Sequence, residues 1–268
     1  MIAKIKNKVS IKRLFGLSGI LTALAVIYLI ISVPSISAIQ DNYIQGAHRG
    51  SSVNYTENTM EAFEAALNDE KYSYIEFDVC MTSDGKLVVI HQNNLLRIPK
   101  KFTIISEHTY EEIENTFEFT VPQYQEVMDL INDQKPLNIE IKNHGNTQEG
   151  IEIADLIIHD CKERGILNQI LISSPDEGII HYIESEHPEI TSGRVFWVTL
   201  YSILPLESTT QAFCQSTEAD YFILHGYNLH NYDLLAGCMP KDKGMIIWYF
   251  TDEAYVILNK CRGEFWNC

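Results

Sequence analysis

Positive charge is scarce over most of this chain. Five of its 20 Lys and Arg residues lie in the first 40 positions, which contain no carboxylate. The remaining 228 residues therefore carry 15 Lys and Arg against 36 Asp and Glu, a formal net charge of −21. Because nucleic acids are bound chiefly through basic side chains, this balance excludes a nucleic-acid partner. An anionic substrate would need a local positive charge, and a bound divalent cation is the obvious source.

Features typical of several other protein classes are also missing. After residue 41 there is no internal repeat, low-complexity tract or linker rich in Pro, Gly and Ser, so we expect a single domain. No Gly-rich phosphate-binding loop follows the first predicted strand, which disfavours a doubly wound open sheet. An apolar share of 46% excludes a disordered chain.

The amino-terminal region contains an uncharged, apolar run from Leu14 to Val33. Twenty helical residues span about 30 Å, the thickness of a bilayer core. Basic residues precede the run and none follows it closely, which favours a cytoplasmic amino terminus. We therefore predict a basic cytoplasmic segment over 1–13, a transmembrane anchor over 14–36 and an extracellular domain over 41–268. The alternative is a secreted protein, released by signal cleavage near the small residues 36–38.

Export would permit disulfides among the six cysteines, which show no metal-ligand spacing. The pairings we expect are Cys214 with Cys238 and Cys261 with Cys268. Cys80 lies at the end of a predicted strand, where core packing is the default role. The sequence leaves the oligomeric state open.

Eight short apolar runs rich in β-branched residues predict strands. They span 44–48, 74–79, 87–91, 137–142, 170–174, 194–199, 221–226 and 245–250. Helical patterns lie between several of them, the clearest over 148–164 and another over 59–67, where Asn58 and Glu61 have capping-box spacing. About eight strands alternating with helices predict an α/β fold, a TIM-type (β/α)₈ barrel.

Polar residues occur at the carboxyl ends of four of these apolar strands, where barrel enzymes carry their active sites. They are His48 and Arg49, Glu76 and Asp78, His91, and Glu140 and Lys142. Buried polar groups are costly unless they are paired or bind metal, so this recurrence predicts a site.

A hairpin signal lies between two of these strand ends. If Asp84-Gly85 is a two-residue loop, Asp78 faces His91, with Glu76 on the same side. Such a hairpin conflicts with a strictly parallel barrel and leaves the local topology open.

These residues resemble the glycerophosphodiester phosphodiesterase family. The resemblance rests on Ala47-His48-Arg49-Gly50, Glu57-Asn58-Thr59, Glu76-Phe77-Asp78-Val79, Asp84-Gly85, His91 and Glu140-Ile141-Lys142. It implies a metal-dependent barrel hydrolase that uses Ca²⁺ or Mg²⁺. It also implies roles: Glu76, Asp78 and Glu140 as metal ligands, His48 and His91 as the acid/base pair, and Arg49 and Lys142 as phosphate ligands.

The chemistry of these side chains agrees with the resemblance. Carboxylate oxygens suit a hard cation. A guanidinium and an ammonium suit a phosphate, and two imidazoles suit proton removal at one oxygen and proton donation at another. Which histidine does which stays open.

Each assignment has a structural alternative. The carboxylates could merely form ion pairs with Arg49 and Lys142, and the histidines could be hydrogen-bonded core residues. Asn58 could be a helix cap, or it could contact substrate or support a metal ligand. Trp248 could be a core residue or an apolar wall beside the leaving group.

Three departures from the family pattern stand out. Gln92 replaces the usual Asp, and Pro175 replaces an aromatic residue. The last strand of the family, which ends in Thr-Asp, is not found after the Trp248 strand, so we expect either a barrel short of one strand or a truncated sequence.

We therefore expect hydrolysis of a small glycerophosphodiester to glycerol phosphate and an alcohol. One alternative is a phospholipase D-like enzyme of the sphingomyelinase D type, acting on intact lipid. The other is a degenerate barrel that binds a phosphodiester without turnover.

Overall fold

The computed structural model describes residues 43–91, 104–251 and 253–258. Its strands are β1 (Ile44–His48), β2 (Tyr74–Met81), β3 (Leu87–Val89), β4 (Leu137–Ile141), β5 (Ile170–Ser174), β6 (Thr191–Phe196), β7 (Tyr221–His225), β8 (Gly244–Trp248) and β9 (Glu253–Leu258). Its α-helices are α1 (Met60–Asn68), α2 (Tyr110–Glu114), α3 (Tyr124–Ile131), α4 (Thr147–Arg164), α5 (Glu177–Glu186), α6 (Leu200–Ile203), α7 (Glu207–Cys214) and α8 (Tyr232–Cys238).

Across these ranges no helix is both long and apolar enough to cross a bilayer. The predicted cytoplasmic segment and anchor lie outside the described residues.

The strands close into a ring. Seven of them pair in parallel in the order β1-β2-β4-β5-β6-β7-β8, and β9 lies antiparallel between β8 and β1. The predicted TIM-type barrel is therefore confirmed, but its eighth position holds a strand of opposite direction rather than a gap. The short connection over 249–252 explains the direction, because a parallel neighbour would need a crossover of a dozen residues or more.

The clearest helix predicted from the sequence, over 148–164, ends where the sequence indicates. Helix α4 ends at Arg164, and Gly165 beyond it has a left-handed φ of 71°. Glycine adopts this conformation at little cost, which is why it ends helices so often.

Strand β3 is not part of the ring. It pairs antiparallel with β2, so the predicted hairpin forms and the run over 87–91 is not one of the barrel strands. The predicted register is wrong by one residue, because Ile90, not His91, donates its backbone N–H to the Asp78 carbonyl at 3.1 Å. The hairpin closes between Thr82 and Lys86 with a three-residue loop, one residue longer than the sequence suggested.

The main core lies between the strands and the surrounding helices. Fully buried side chains from four helices pack against it: Phe63 from α1, Val127 from α3, Ile157 from α4 and Ile183 from α5. Burying such a side chain contributes about 1.5–3 kcal/mol relative to exposure. The strand ends that carry the polar residues are thus held by a packed core.

The predicted disulfide between Cys214 and Cys238 is wrong in this structure. Both residues are free thiols, as are the buried Cys80 and Cys161. Cys214 and Cys238 instead pack in an apolar cluster around Phe222, and small apolar packing is an ordinary role for cysteine. The second predicted pair, at 261 and 268, lies outside the described residues.

Candidate active site

The polar strand ends converge at one mouth of the barrel. In the parallel registers His48 lies beside Glu76, and Asp78 lies beside Glu140. All four side chains are buried. One oxygen from each of the three carboxylates lies within 4.8 Å of the other two. The convergence predicted from the strand ends therefore follows from strand register.

Two cations neutralise part of this carboxylate cluster. Arg49 Nε lies 3.1 Å from Asp78 Oδ2, and Lys142 Nζ lies 3.2 Å from Asp78 Oδ1 and also pairs with Glu140. Burial raises the pKa of Asp78, but Lys142 and Arg49 outweigh it and hold that pKa well below its usual value. Asp78 is therefore ionised throughout the physiological range.

A strained turn aims the backbone of Arg49 at the cluster. Arg49 and Gly50 both have left-handed φ, 61° and 75°. The Arg49 backbone N–H donates to Glu76 Oε2 at 2.8 Å. A Cβ at position 50 would lie 2.8 Å from the carbonyl carbon of Ala62, so only glycine fits there. Strain of this kind is commonly found at functional sites.

The residues present fit a divalent cation. Glu76 Oε1 is buried and accepts no hydrogen bond from the described residues. Burial, followed by the charges of Asp78 and Glu140, raises the pKa of Glu76 well above its usual value. A buried carboxylate oxygen without a partner is costly, and a hard cation held by three carboxylates would remove that cost. The cluster could therefore hold a metal ion.

The two predicted histidines lie at the same mouth as neutral imidazoles. Burial, followed by the charge of Arg49, lowers the pKa of His48 to about 3. His48 Nδ1 lies 3.1 Å from the Thr251 carbonyl oxygen, which can only accept, so we assign the ring proton to Nδ1. The Nε2 atom is then an acceptor, 3.9 Å from Glu76 Oε2. Burial lowers the pKa of His91 to about 4, against the opposing charge of Asp78.

Of the two roles expected for Asn58, the structure shows support of a candidate metal ligand and not the helix cap. Thr59 caps α1 by accepting from the Ala62 backbone N–H, while Asn58 has a left-handed φ of 56°. Its amide instead contacts Asp78 twice: Nδ2 donates to Oδ2 at 2.8 Å, and Oδ1 accepts from the Asp78 backbone N–H at 3.3 Å. Asn58 therefore positions a cluster carboxylate.

Aromatic side chains adjoin His48 at the mouth. The Trp248 ring lies 5.6 Å from that of His48, and the His225 ring lies 4.6 Å from that of Trp248. Trp197 and Phe250 lie 6.3 and 5.5 Å from Trp248. The sequence analysis missed His225, although it ends β7 just as His48 ends β1, so the strand-end criterion would have found it.

A comparison with known proteins identifies the family of this chain. Residues 48–222 match the model of the glycerophosphoryl diester phosphodiesterase family. The chain belongs to this family. Membership of this family accounts for both the sequence motifs and the barrel fold.

Curated relatives are moderately similar over part of their length. The chain is 35% identical over 156 residues to a glycerophosphodiester phosphodiesterase of Bacillus altitudinis, covering 54% of this chain and 62% of that protein. It is 33% identical over 161 residues to one of Caldanaerobacter subterraneus, covering 56% and 65%. The chain therefore matches less than two thirds of the length of either relative.

Solved structures of phosphodiesterases of this family share the fold. A Thermotoga maritima glycerophosphodiester phosphodiesterase has a TM-score of 0.55 at 22% identity, covering 77% of this chain and 85% of that one. An Oleispira antarctica phosphodiesterase has a TM-score of 0.57 at 21% identity, covering 76% and 83%. At these identities the likeness supports the barrel architecture.

Proposed function

We propose that this family member hydrolyses glycerophosphodiesters to glycerol phosphate and an alcohol. The observation that carries the proposal is the cluster of three carboxylates, with two cations and two neutral imidazoles at the same barrel mouth. The relatives named as glycerophosphodiester phosphodiesterases support it. So does the Oleispira structure, which is a complex with its product sn-glycerol-3-phosphate.

In this proposal Glu76, Asp78 and Glu140 hold Ca²⁺ or Mg²⁺. When bound, the ion polarises the phosphoryl oxygens and offsets the charge that develops during displacement. Arg49 and Lys142, already at the cluster, bind the phosphate oxygens, the first through a planar fork and the second as a compact charge. Asn58 keeps the Asp78 carboxylate in place.

The two imidazoles divide the proton transfers between them. His48 accepts the proton of the attacking water at Nε2, because its Nδ1 is committed to the Thr251 carbonyl. His91 is the second member of the pair: to donate a proton to the leaving alkoxide it must first take one up, and the charge of Asp78 favours that imidazolium form while burial opposes it. Trp248 beside His48 forms an apolar wall that excludes water.

Glycerophosphocholine is the direct test. With Ca²⁺ or Mg²⁺ present, we expect glycerol phosphate and choline in equal amounts, measured by enzymatic assay of each product. Binding of sn-glycerol-3-phosphate, measured by calorimetry, serves as the control for an intact site. Binding without turnover would favour the degenerate barrel, and turnover of sphingomyelin alone would favour the lipid-hydrolysing alternative.

We also propose that the barrel lies outside the cell, anchored by residues 14–36. The uncharged run and the preceding basic cluster support this location. The full-length protein should then stay with the membrane fraction after a carbonate wash and require detergent for extraction. Recovery from the medium with a new amino terminus near Ile39 would instead show cleavage and secretion.

A further inference from the structure

One buried histidine at the barrel mouth has no role in the proposed reaction. His225 is the last residue of β7 and is 3% exposed. Its ring lies 4.6 Å from that of Trp248, which in turn lies 5.6 Å from the His48 ring. His225 and Trp248 both lie beyond residues 48–222, the part of the chain that the family model matches. The matched region thus assigns no role to His225.

The hydrogen bonding of His225 defines its tautomer. Its Nδ1 accepts from the Tyr227 backbone N–H at 3.4 Å, so we assign the ring proton to Nε2. Burial lowers the pKa of His225 to about 4, which keeps the ring neutral at physiological pH. Among the described residues no acceptor lies within hydrogen-bond distance of Nε2–H. A buried N–H without an acceptor is costly, so this position suits a ligand with an acceptor atom.

Trp248 carries a second unpaired donor of the same kind. Its Nε1 is buried and donates to no group in the described ranges. The two N–H groups belong to rings in direct contact, because His225 lies opposite Trp248 in the parallel register of β7 and β8. Two donors on adjoining rings suit a ligand group that carries more than one acceptor oxygen.

The position of β7 in the ring decides which part of a substrate reaches His225. The ring runs β1-β2-β4-β5-β6-β7-β8-β9, so β7 is the fourth strand from β2 in either direction. In a closed ring of eight strands, His225 therefore lies across the mouth from Glu76 and Asp78. A phosphodiester bound at these carboxylates has two ester groups, and one of them would extend towards His225.

The proposed proton transfers identify that ester group. His91 protonates the leaving alcohol, and it follows β3, the strand that pairs with β2. The head group therefore leaves on the β2 side of the mouth. The glycerol group, which stays on phosphorus, then extends towards the wall formed by His225 and Trp248. Glycerol phosphate has two hydroxyls on adjacent carbon atoms, and each oxygen can accept a hydrogen bond.

A cationic head group fits this wall less well. The trimethylammonium group of choline is attracted to aromatic ring faces, but it has no atom that accepts a hydrogen bond. Its binding would leave the His225 and Trp248 donors unpaired. A hydroxyl oxygen removes that cost, so the wall favours a hydroxylated group over an ammonium group.

We infer that His225 binds the glycerol hydroxyls of the substrate through Nε2–H, with Trp248 Nε1–H as the second donor. This inference rests on the proposed hydrolysis and assigns its specificity for glycerol to a residue outside the matched region. His225 transfers no proton in the reaction. It contributes to affinity for the glycerol group and to the placement of that group.

The test uses two substrates that differ only in the glycerol hydroxyls, glycerophosphocholine and the n-propyl ester of phosphocholine. The propyl ester leaves both donors unpaired, so the wild type should favour glycerophosphocholine by at least about tenfold in kcat/KM. Initial rates of choline release, with divalent metal present, give kcat/KM for each substrate.

Two variants separate the roles of the two nitrogen atoms of His225. His225→Asn places an amide oxygen near the Nδ1 position, so it keeps the acceptor for the Tyr227 N–H and loses the Nε2 donor. It should lower kcat/KM for glycerophosphocholine about threefold to tenfold and leave that for the propyl ester within about twofold. His225→Gln places an amide N–H near the Nε2 position and should keep most of the preference. His230→Asn, at an exposed histidine shortly after β7, is the matched control and should change neither value.

Several results would overturn the inference. A purely structural role for His225 predicts the reverse order, in which His225→Gln is the more damaging variant and both substrates are affected equally. A preference for glycerophosphocholine that His225→Asn retains in full would leave glycerol recognition to other groups. If His225→Asn instead loses a preference for choline over its neutral 3,3-dimethylbutyl isostere, the wall is a cation site. Equal turnover of the two phosphocholine esters by the wild type defeats this inference alone, whereas turnover of neither defeats the proposed function itself.

Discussion

Replacing His48 or His91 with alanine should lower kcat for glycerophosphocholine by about 10²–10⁴-fold, the usual contribution of a proton transfer by a positioned side chain. Both imidazoles are neutral at the mouth, and the assigned Nδ1–H tautomer of His48 leaves Nε2 free to accept a proton. Because the two act in one displacement, the double variant should be little worse than the poorer single variant. Initial rates of choline release give kcat for all three variants.

The control for these variants is His159→Ala, because this histidine lies on the exposed face of α4. Its kcat should equal that of the wild type. Binding of sn-glycerol-3-phosphate should change little in the His48 and His91 variants, since the carboxylates and cations remain. A kcat near wild type in either single variant would remove that histidine from the mechanism.

Removing divalent metal by chelation should lower turnover by at least about 10²-fold and also lower the melting temperature. The rate should fall because a bound ion contributes several kcal/mol to transition-state stabilisation. Stability should fall because the ion offsets three converging carboxylates, one with a buried oxygen that accepts no hydrogen bond from the described residues. A ligand at 100 times its Kd adds about 2.7 kcal/mol to the free energy of unfolding.

Glu140→Gln tests the same site without chelation. It should weaken metal binding, measured by calorimetry, together with turnover. Glu163→Gln on the exposed face of α4 should change neither property. If the chelated protein keeps full activity and its melting temperature, the carboxylates serve only as ion-pair partners of Arg49 and Lys142.

The convergence of the polar strand ends was predictable because it needs only two rules. Parallel strands end on one face of a barrel, and residues two apart share one side of a strand. Glu76, Asp78 and Glu140 follow both rules. The position of His91 could not be predicted from these rules. An Asp-Gly pair is compatible with a two-residue or a three-residue hairpin loop, and a difference of one residue shifts the strand register by one.

Other features depend on contacts that sequence spacing does not encode. From its position in the sequence Asn58 could cap the helix that follows it, yet its side chain contacts Asp78, 20 residues away. Most of the exposed apolar side chains near the mouth lie in residues 197–206, but the shape of this segment depends on the buried Asn228 further along the chain. The direction of β9 depends on the length of one turn, and its pairing with β1 joins the two ends of the barrel.

The reversed direction of β9 also decides where the described chain leaves the barrel. Val256 lies opposite Ile44 at the start of β1, and Leu258 lies opposite Met245 at the start of β8. Positions 43 and 258 therefore lie at the same end of the barrel, away from the mouth. A fusion partner or an immobilisation tag attached at either position would leave the mouth clear, and a short linker joining the two would produce a circular permutant. With an eighth parallel strand, the chain would instead have left beside the mouth.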